Sequence, residues 1–360
     1  GVSMGKLFSK TKHAKHSGQN SGFSSIDGIQ NSRTDDCHRV PQHEHGHVKM
    51  PGHQHQNVHS EAVVSLATVQ PGLCLSGSKD KTVALYDYEN HKVIDLWKGH
   101  DREVTKVCYG AACKGIFSAS RDKTIKLWQH GKPNYIREFN GHDLVVMAIH
   151  INKDNSLLCS GSRDTAIKLW DVETGTCLRE NKICQNLIND VKFVPDSHLI
   201  IQSGEDKEVR LFDLRTLNVI HAFPRKQYIQ MSCDVSTDGS YCLTCSNGFG
   251  GNGCEATLWD IRALAVVHEY KGHTEAVEAC IFLPFQGRPL VATSSRDLSV
   301  RIWDRDTKAC IQELYFGGSG PLTSIIGYED YSMCVSSFNH GIQHLQYHPE
   351  SQSLELVACF

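Results

Sequence analysis

The sequence lacks any long apolar segment. Its densest apolar run, residues 144–149, is six residues long, whereas a membrane-spanning helix needs roughly 18. The first residues also lack the apolar centre of a secretory signal, which is about 7–15 residues long. We therefore expect neither a transmembrane helix nor a secretory leader, and we expect a cytoplasmic location.

A strong charge of one sign is also missing. The net charge is -3 and 21% of the 360 residues are charged, so the bulk composition does not indicate nucleic-acid binding. The balance is uneven, because residues 1–60 hold seven Lys and Arg against four Asp and Glu, and the other 300 hold thirty against thirty-six. The N-terminal segment has neither Trp nor Tyr. Since so few apolar groups cannot offset the entropy of ordering, we predict a disordered, basic, His-rich tail over residues 1–57.

Cysteine is abundant, but its fifteen residues lie at irregular spacing in a large chain. This pattern favours reduced thiols in a cytosolic protein over a secreted disulfide framework. Cys242 and Cys245, with Cys233 and Cys254 nearby, could be read as zinc ligands. Residues three apart on a strand point to opposite faces, however, and chelate a metal poorly.

We therefore predict no metal site and no cofactor. Histidines at alternate positions of the tail could bind a transition metal, although weakly in a disordered segment. These are His43, His45 and His47.

A short phrase recurs through the rest of the chain. It reads SGSKDKTVALYD at 76–87, SASRDKTIKLWQ at 118–129, CSGSRDTAIKLWD at 159–171, SGEDKEVRLFD at 203–213 and TSSRDLSVRIWD at 293–304. Looser versions are CEATLWD at 254–260 and SSFNHGIQHLQ at 336–346. The aromatic positions Tyr86, Trp128, Trp170, Phe212, Trp259 and Trp303 follow at intervals of 42, 42, 42, 47 and 44 residues.

The repeating unit has the pattern of short strands. Residues 125–128 and 167–170 are rich in β-branched and aromatic side chains that would alternate between two faces, and turn residues separate such runs. Four strands in each unit, repeated seven times, predict an all-β fold: a seven-bladed β-propeller of four-stranded antiparallel blades over residues 58–360.

Two dipeptides at a regular spacing resemble the tryptophan–aspartate (WD) repeat family over about five-sixths of the chain. Gly99-His100, Gly141-His142 and Gly272-His273 precede Trp128-Gln129, Trp170-Asp171 and Trp303-Asp304 by 28, 28 and 30 residues. The resemblance implies a hydrogen-bonded cluster of loop His, turn Asp, Ser or Thr, and Trp. The implied clusters are His100, Asp122 and Trp128 with Ser118 or Ser120 in blade two, His142, Asp164 and Trp170 in blade three, and His273, Asp297 and Trp303 in blade six.

Four blades depart from the family pattern. Blade one has His59 one position out of register and Tyr86 in place of Trp, and blade four has no Gly-His. Blade five lacks the turn Asp, and blade seven has Asn339 and Leu345 where Asp and Trp belong. We expect these blades to be looser.

The His, Asp and Ser sets could also suggest a catalytic triad. They recur at structural turns and have no nucleophile elbow beside them, so we predict structural clusters and no enzymatic activity. The Gly-rich run at 247–253 could suggest a phosphate loop, but a strand follows it where a helix is needed. This insertion is either a recognition loop or a tolerated surface insertion without a function.

The residues just before the turn Asp are expected to form a ring on one face of the propeller. Four of the seven are basic, which favours an acidic peptide or protein partner, and the alternative is ordinary turn composition. The ring residues are Lys79, Arg121, Arg163, Glu205, Asn252, Arg296 and Phe338.

Two blades end in an Asp-x-Arg tripeptide, at 213–215 and 260–262. The tripeptide resembles the box by which some propellers dock as substrate receptors on cullin-type ubiquitin ligases. The resemblance implies that Arg215 and Arg262 carry the contact.

The tail holds a targeting signal. Residues 4–9 fit M-G-x-x-x-[ST], so Gly5 is a predicted N-myristoylation site in a chain whose translation starts at Met4. One acyl chain anchors a protein only marginally, and a second signal is needed. Nearby cations supply it by attraction to an anionic leaflet. They are Lys6, Lys10, Lys12 and Lys15.

These features predict a non-enzymatic interaction scaffold that binds protein partners on its loop faces and associates with a membrane through its tail. We expect no nucleic-acid partner and no small-molecule substrate. The overall likeness to one WD-repeat protein implies a role in cilium assembly or transport, which composition and spacing do not show. The alternative is a substrate receptor of a cullin-type ubiquitin ligase.

Overall fold

The computed structural model describes residues 54–339 and 341–360. Over these residues 28 strands form seven four-stranded antiparallel sheets, each with its strands in sequence order. The predicted seven-bladed β-propeller of four-stranded antiparallel blades is therefore confirmed. In the described part of the chain no helix is long and apolar enough to cross a membrane.

Each blade runs from a first strand at the central channel to a fourth strand at the rim. Blades one to four comprise β1 (Val63–Gln70), β2 (Leu73–Ser78), β3 (Thr82–Asp87), β4 (Lys92–Lys98); β5 (Val104–Gly110), β6 (Gly115–Ser120), β7 (Ile125–Gln129), β8 (Arg137–Phe139); β9 (Val146–Ile151), β10 (Leu157–Ser162), β11 (Ala166–Asp171), β12 (Cys177–Lys182); and β13 (Ile188–Phe193), β14 (Leu199–Gly204), β15 (Val209–Asp213), β16 (Val219–Ala222). Blades five to seven comprise β17 (Gln230–Val235), β18 (Tyr241–Ser246), β19 (Glu255–Asp260), β20 (Ala265–Lys271); β21 (Val277–Phe282), β22 (Leu290–Ser295), β23 (Ser299–Asp304), β24 (Cys310–Tyr315); and β25 (Leu322–Gly327), β26 (Ser332–Ser337), β27 (Ile342–His348), β28 (Ser353–Cys359).

Apolar packing between neighbouring blades forms the core. Seven clusters of buried side chains each join two consecutive blades, and one of them joins blade seven to blade one. Trp97 of blade one and Trp128 of blade two, for example, lie in one cluster with their ring centroids 6.5 Å apart. Because each blade buries both of its faces in this way, the hydrophobic effect favours the closed ring.

Blade one and the segment just before it meet the last residues of the chain where the ring closes. Phe360 is buried and stacks on Tyr86 of blade one, with centroids 4.1 Å apart. Tyr328 of blade seven donates a hydrogen bond from Oη to the Leu73 carbonyl at 2.8 Å. The segment before blade one lies beside β28, since His55 donates from its backbone N to the Cys359 carbonyl at 3.1 Å. Each blade is thus built from consecutive strands, and ring closure rests on side-chain packing and these bonds.

Every first strand carries a bulge at its second residue. A bulge bends the strand and redirects the extra side chain. Here the bulged residues line the central channel, and they are Val64, Thr105, Met147, Asn189, Met231, Glu278 and Thr323.

Candidate functional site

Successive strands alternate in direction, so two kinds of loop emerge at one end of the ring. We call this end the upper face; it holds the loops between blades and the turns between second and third strands. The opposite end is the lower face. The predicted clusters and the predicted partner ring belong to the upper face.

The blade-two cluster joins three parts of the blade. His100 lies with Nδ1 2.7 Å from Asp122 Oδ2 and Nε2 2.7 Å from Ser118 Oγ. Trp128 donates from Nε1 to Ser118 Oγ at 2.8 Å. Of the two candidate serines, the cluster hydroxyl is that of Ser118, whereas Ser120 donates to the Glu103 carbonyl at 2.9 Å. A neutral imidazole protonated on Nδ1 satisfies every polar atom in this chain of hydrogen bonds.

Blades three and six repeat this geometry. His142 Nδ1 is 2.8 Å from Asp164 Oδ2, and His273 Nδ1 is 2.9 Å from Asp297 Oδ2. In each blade the Trp indole, at Trp170 or Trp303, donates to the hydroxyl that also meets the imidazole. That hydroxyl belongs to Ser160 in blade three and to Thr293 in blade six.

The cluster carboxylates are held in their ionised form. Burial by itself raises the pKa of Asp122, but hydrogen bonds from His100 and Thr124 outweigh it and hold the pKa well below its usual range. The same balance, with the histidine as main partner, lowers the pKa of Asp164 and of Asp297. The clusters therefore tie two upper-face loops of a blade together near neutral pH.

The cluster hydroxyls are placed for structure and not for catalysis. Ser118 and Ser160 are fully buried, and each already accepts a bond from a tryptophan. A nucleophile must reach a substrate carbonyl next to oxyanion donors. These buried oxygens have no such approach.

Three of the four divergent blades keep a polar link by other means. In blade one, where the sequence predicts looseness, His59 Nδ1 lies 3.1 Å from Asp80 Oδ2 and its Nε2 lies 2.8 Å from Ser76 Oγ. His59 lies four residues before β1, as His100 lies four before β5, and the one-residue offset falls in the shorter turn between β1 and β2. Tyr86 stacks on Phe360 instead of joining the hydrogen-bond chain.

Amides replace the imidazole in blades four and five. Asn186 and Gln202 exchange two hydrogen bonds, at 3.0 and 3.2 Å. In blade five, Thr244 donates to Gln230 Oε1 at 2.9 Å and accepts from Trp259 Nε1 at 2.9 Å. The sequence analysis missed both substitutions. Their signal is an amide side chain at or just before the start of the first strand, facing a polar residue on the second strand.

Ion pairs engage two of the four cations of the predicted upper-face ring. Arg163 Nη2 lies 2.7 Å from Glu205 Oε1, and Arg296 pairs with Glu278 of the channel rim. The Lys79 ammonium lies 4.0 Å from the centre of the Phe338 ring.

Among the described residues, Arg121 has no ion-pair partner. Of the four ring cations, two are therefore ion-paired, Lys79 lies against an aromatic ring, and over the ranges that the structure describes only Arg121 has neither kind of contact; Asn252 lies in the blade-five loop. The expected preference for an acidic partner rests on fewer free charges than the sequence suggested.

The Gly-rich insertion of blade five is an ordered β-hairpin. Phe249 and Asn252 exchange backbone hydrogen bonds at 3.0 and 3.1 Å, and Gly250 and Gly251 form the turn with φ of +57° and +79°. Positive φ at both central positions is the geometry that glycine permits at low cost. The strand β19 follows directly, which is not the arrangement of a phosphate loop. The segment therefore does not have the form of a phosphate loop.

The two Asp-x-Arg arginines lie on the lower face and differ in pairing. Arg215 binds its own Asp213, with Nη2 2.7 Å from Oδ2 and Nε 3.2 Å from Oδ1. Arg262 is exposed, and in the described part of the chain its guanidinium has no ion-pair partner. Asp260 instead accepts the backbone N–H of Arg262 at 2.8 Å.

Charged residues that the sequence analysis missed lie in the central channel, a cavity of about 570 Å³ between the first strands. Lys106 pairs with Asp190, and Lys192 Nζ lies 3.7 Å from Asp234 Oδ1. Burial raises the pKa of Asp234, and this carboxylate keeps the pKa of Lys192 raised although burial opposes it. Polar residues within otherwise apolar first strands were the available signal.

The described cysteines are free thiols. Burial raises the pKa of Cys233 and of Cys242 well above the usual range, so both are protonated near neutral pH. No group of three or more His, Cys, Asp or Glu residues within the described ranges is arranged to hold a metal ion.

The tail predictions lie outside the described residues. These are the acylation site Gly5, the basic residues that follow it, and the histidines His43, His45 and His47.

Four segments of the chain match the family of the WD domain, G-beta repeat (WD40): residues 91–129, 133–171, 175–213 and 264–304. Each match runs from the outer part of one blade to the third strand of the next. The repeat matches and the seven-bladed fold together support a WD-repeat propeller.

A curated relative matches over a short stretch only. Pre-mRNA-processing factor 19 of Caenorhabditis elegans is 36% identical over 55 residues, which is 15% of this chain and 11% of that protein. The matched part is thus about a ninth of the relative's length.

Proposed function

We propose that this WD-repeat propeller is a non-enzymatic scaffold that binds protein partners on its loop faces. The observation that carries the proposal is the state of the recurring His–Asp–Ser sets. Their hydroxyls are buried and hydrogen-bonded within the blade. The side chains that could act as nucleophile and base therefore stabilise the propeller instead. A WD40 propeller is typically an interaction fold that lacks enzymatic activity, and its exposed loops are suited to recognition.

Proximity labelling in cells tests the scaffold. The full chain should label a reproducible set of neighbours, and Arg121→Glu should remove a subset of them, because it reverses the unpaired charge of the upper-face ring. An exposed change on the rim, Val93→Ala, is the matched control. A labelled set that is identical to that of an unrelated cytosolic protein would overturn the scaffold proposal.

The tail supports a second element of the proposal, membrane tethering. N-myristoylation at Gly5 together with the four nearby lysines would hold the propeller at an anionic leaflet. Metabolic labelling with a myristate analogue should mark a chain that starts at Met4 and should leave Gly5→Ala unmarked. Absence of label on the chain that starts at Met4 ends the proposal.

The likeness to one WD-repeat protein, noted in the sequence analysis, is the ground for a third element of the proposal, a role in cilium assembly or transport. Endogenous tagging in ciliated cells tests this role, with loss of the protein expected to shorten or reduce cilia. Normal cilia after complete loss would remove it.

A substrate receptor of a cullin-type ubiquitin ligase is the second candidate function. The exposed, unpaired Arg262 favours it, whereas the engagement of Arg215 by Asp213 weakens it. Charge reversal separates the two arginines: Arg262→Glu should abolish association with the ligase adaptor, and Arg215→Glu should reduce it less. Association that survives the double reversal excludes this function.

A further inference from the structure

The blade-five hairpin holds an aromatic side chain in solvent. Phe249 is 68% exposed, although Val93, Tyr135 and other large apolar residues at the surface are less than 55% exposed. Burying such a ring is favourable, so the exposed ring is available as an apolar contact for a partner. Tyr228, whose ring is edge-on to it at 6.4 Å, extends the aromatic surface.

The hairpin is fixed in position and does not swing freely. Gly251 donates from its backbone N to the Thr274 carbonyl at 2.8 Å, and Phe249 pairs with Glu275 of the blade-six loop. A Cβ on Gly253 would lie 2.0 Å from the Tyr228 ring, so the base of the hairpin is closely packed. A preorganised recognition element loses little entropy on binding.

A polar groove of about 630 Å³ lies along the base of this hairpin. Lys226 lies 3.1 Å from Glu255 Oε1 and also pairs with Glu269, whose other oxygen is 2.8 Å from Lys271 Nζ. These lysines lower the pKa of Glu269 to about 2. Both carboxylates of the groove are therefore already engaged by lysines.

The spare hydrogen-bond donors of the groove belong to its cations. Lys271 is 67% exposed and keeps donors free of Glu269. The Arg225 side chain donates from Nε to the Asp206 carbonyl at 3.2 Å and pairs with no carboxylate of the described residues. Three cations and two carboxylates line the groove, so its lining carries an excess of positive charge.

We propose that this hairpin and groove form a docking site for an extended acidic peptide segment of a protein partner. An apolar side chain of the peptide packs on Phe249, and a neighbouring carboxylate meets Lys271 and Arg225. The proposal rests on the proposed scaffold function and gives it a site and a partner chemistry. The insertion places this site in blade five, away from the unpaired Arg121 of blade two.

Peptide binding to the full chain tests the site. The probe is a labelled ten-residue peptide of alternating aspartate and glutamate around a central phenylalanine, measured by fluorescence polarisation. Phe249→Ala and Lys271→Glu should each weaken binding at least tenfold, as expected for loss of an anchor contact. Ile220→Ala, which removes an exposed apolar side chain on the rim of blade four, should leave the dissociation constant unchanged.

Each remaining outcome counts against the site. Failure of the acidic peptide to bind at millimolar concentration, or equal binding of a peptide with lysine in place of the acids, overturns it. Competition by millimolar ATP or inorganic phosphate would assign the groove to a phosphate ligand instead. Binding that is lost with Arg121→Glu but not with Phe249→Ala would move the partner to the upper-face ring, and the scaffold function would stand without this site.

Discussion

Lys106 of blade two pairs with Asp190 of blade four, with 3.0 Å between Nζ and Oδ1. Ala148 occupies the matching position on the first strand of blade three, so the pair spans a blade that has no charged side chain at this position. The same carboxylate accepts bonds from Ser232 Oγ at 3.0 Å and Cys233 N at 3.3 Å, both in blade five. One buried aspartate therefore connects three blades.

Replacing this aspartate should loosen the ring. Asp190→Ala leaves the Lys106 ammonium and the Cys233 N–H without their partner, and we expect a loss of about 3 kcal/mol in the free energy of unfolding. Urea denaturation measures the loss. The control is Asp196→Ala, since Asp196 and its partner Lys153 are 74% and 81% exposed and the pair should contribute less than about 1 kcal/mol. Equal urea midpoints for the two variants would contradict the role of Asp190.

Breaking one upper-face cluster should have a local effect. Asp164→Ala removes the acceptor of His142 and of the Asp143 backbone N–H, so we expect destabilisation of about 1–3 kcal/mol. Thermal unfolding followed by tryptophan fluorescence reports it. Asp143→Ala, an exposed change in the loop that carries His142, should melt like the parent. A variant at Asp164 with unchanged melting would mean that the cluster adds nothing to stability.

Acid should weaken the ring closure through His344. This side chain is 8% exposed, and neither ring nitrogen has a hydrogen-bond partner within the described residues. Burial, aided by His91 and opposed by Asp330, lowers its pKa to about 4. The unfolded chain binds the proton more readily, so stability falls as the pH drops from about 6.5 towards 4.

The expected size of this effect is about 2–3 kcal/mol between pH 7 and pH 4.5. Urea midpoints across this range should fall less in His344→Gln than in the parent chain. Val357→Ala, an exposed change in the same blade that alters no titratable group, serves as the control and should keep the parental slope. Parallel curves for parent and His344→Gln would exclude His344 as the source.

Removing the C-terminal aromatic should open the junction between blades one and seven. Phe360→Ala deletes a buried ring that stacks on Tyr86, and we expect a loss of about 3 kcal/mol. Hydrogen exchange should rise first in β1 and β28 and last in β9–β12, which lie away from the junction. Val357→Ala, on β28 just before Phe360 but 45% exposed, should leave exchange unchanged. A uniform rise across all blades would show that the ring does not open there.

Local chemistry made part of the upper face predictable. The His, Asp and Trp of His100, Asp122 and Trp128 recur at nearly constant spacing, and the structure brings them together because all three positions belong to one blade. His59 shows the limit of spacing. The hairpin of β1 and β2 is one residue shorter than that of β5 and β6, and His59 still lies within hydrogen-bonding distance of Asp80.

Which individual side chains are free to contact a partner was less predictable from the sequence. The sequence offered four basic ring residues, but Glu205 and Glu278 reach two of them from other positions in the ring. Whether a charge is free depends on such partners, and nothing in the repeat specifies them. Phe249 is similar, because a glycine-rich run does not reveal that hydrogen bonds to the next blade will hold it outward.

The sequence by itself determined the repeat, the four strands per unit, the number of blades and the residues of the regular clusters, since each depends on patterns within about 42 residues. Only the tertiary structure decided the ion pair of Lys106 with Asp190, the meeting of Phe360 with Tyr86, and the placement of the blade-five hairpin. These contacts join residues that are 84 and 274 positions apart, or adjacent blades. Closure of the ring brings these residues together, and a pattern within one repeat cannot predict contacts between residues of different blades.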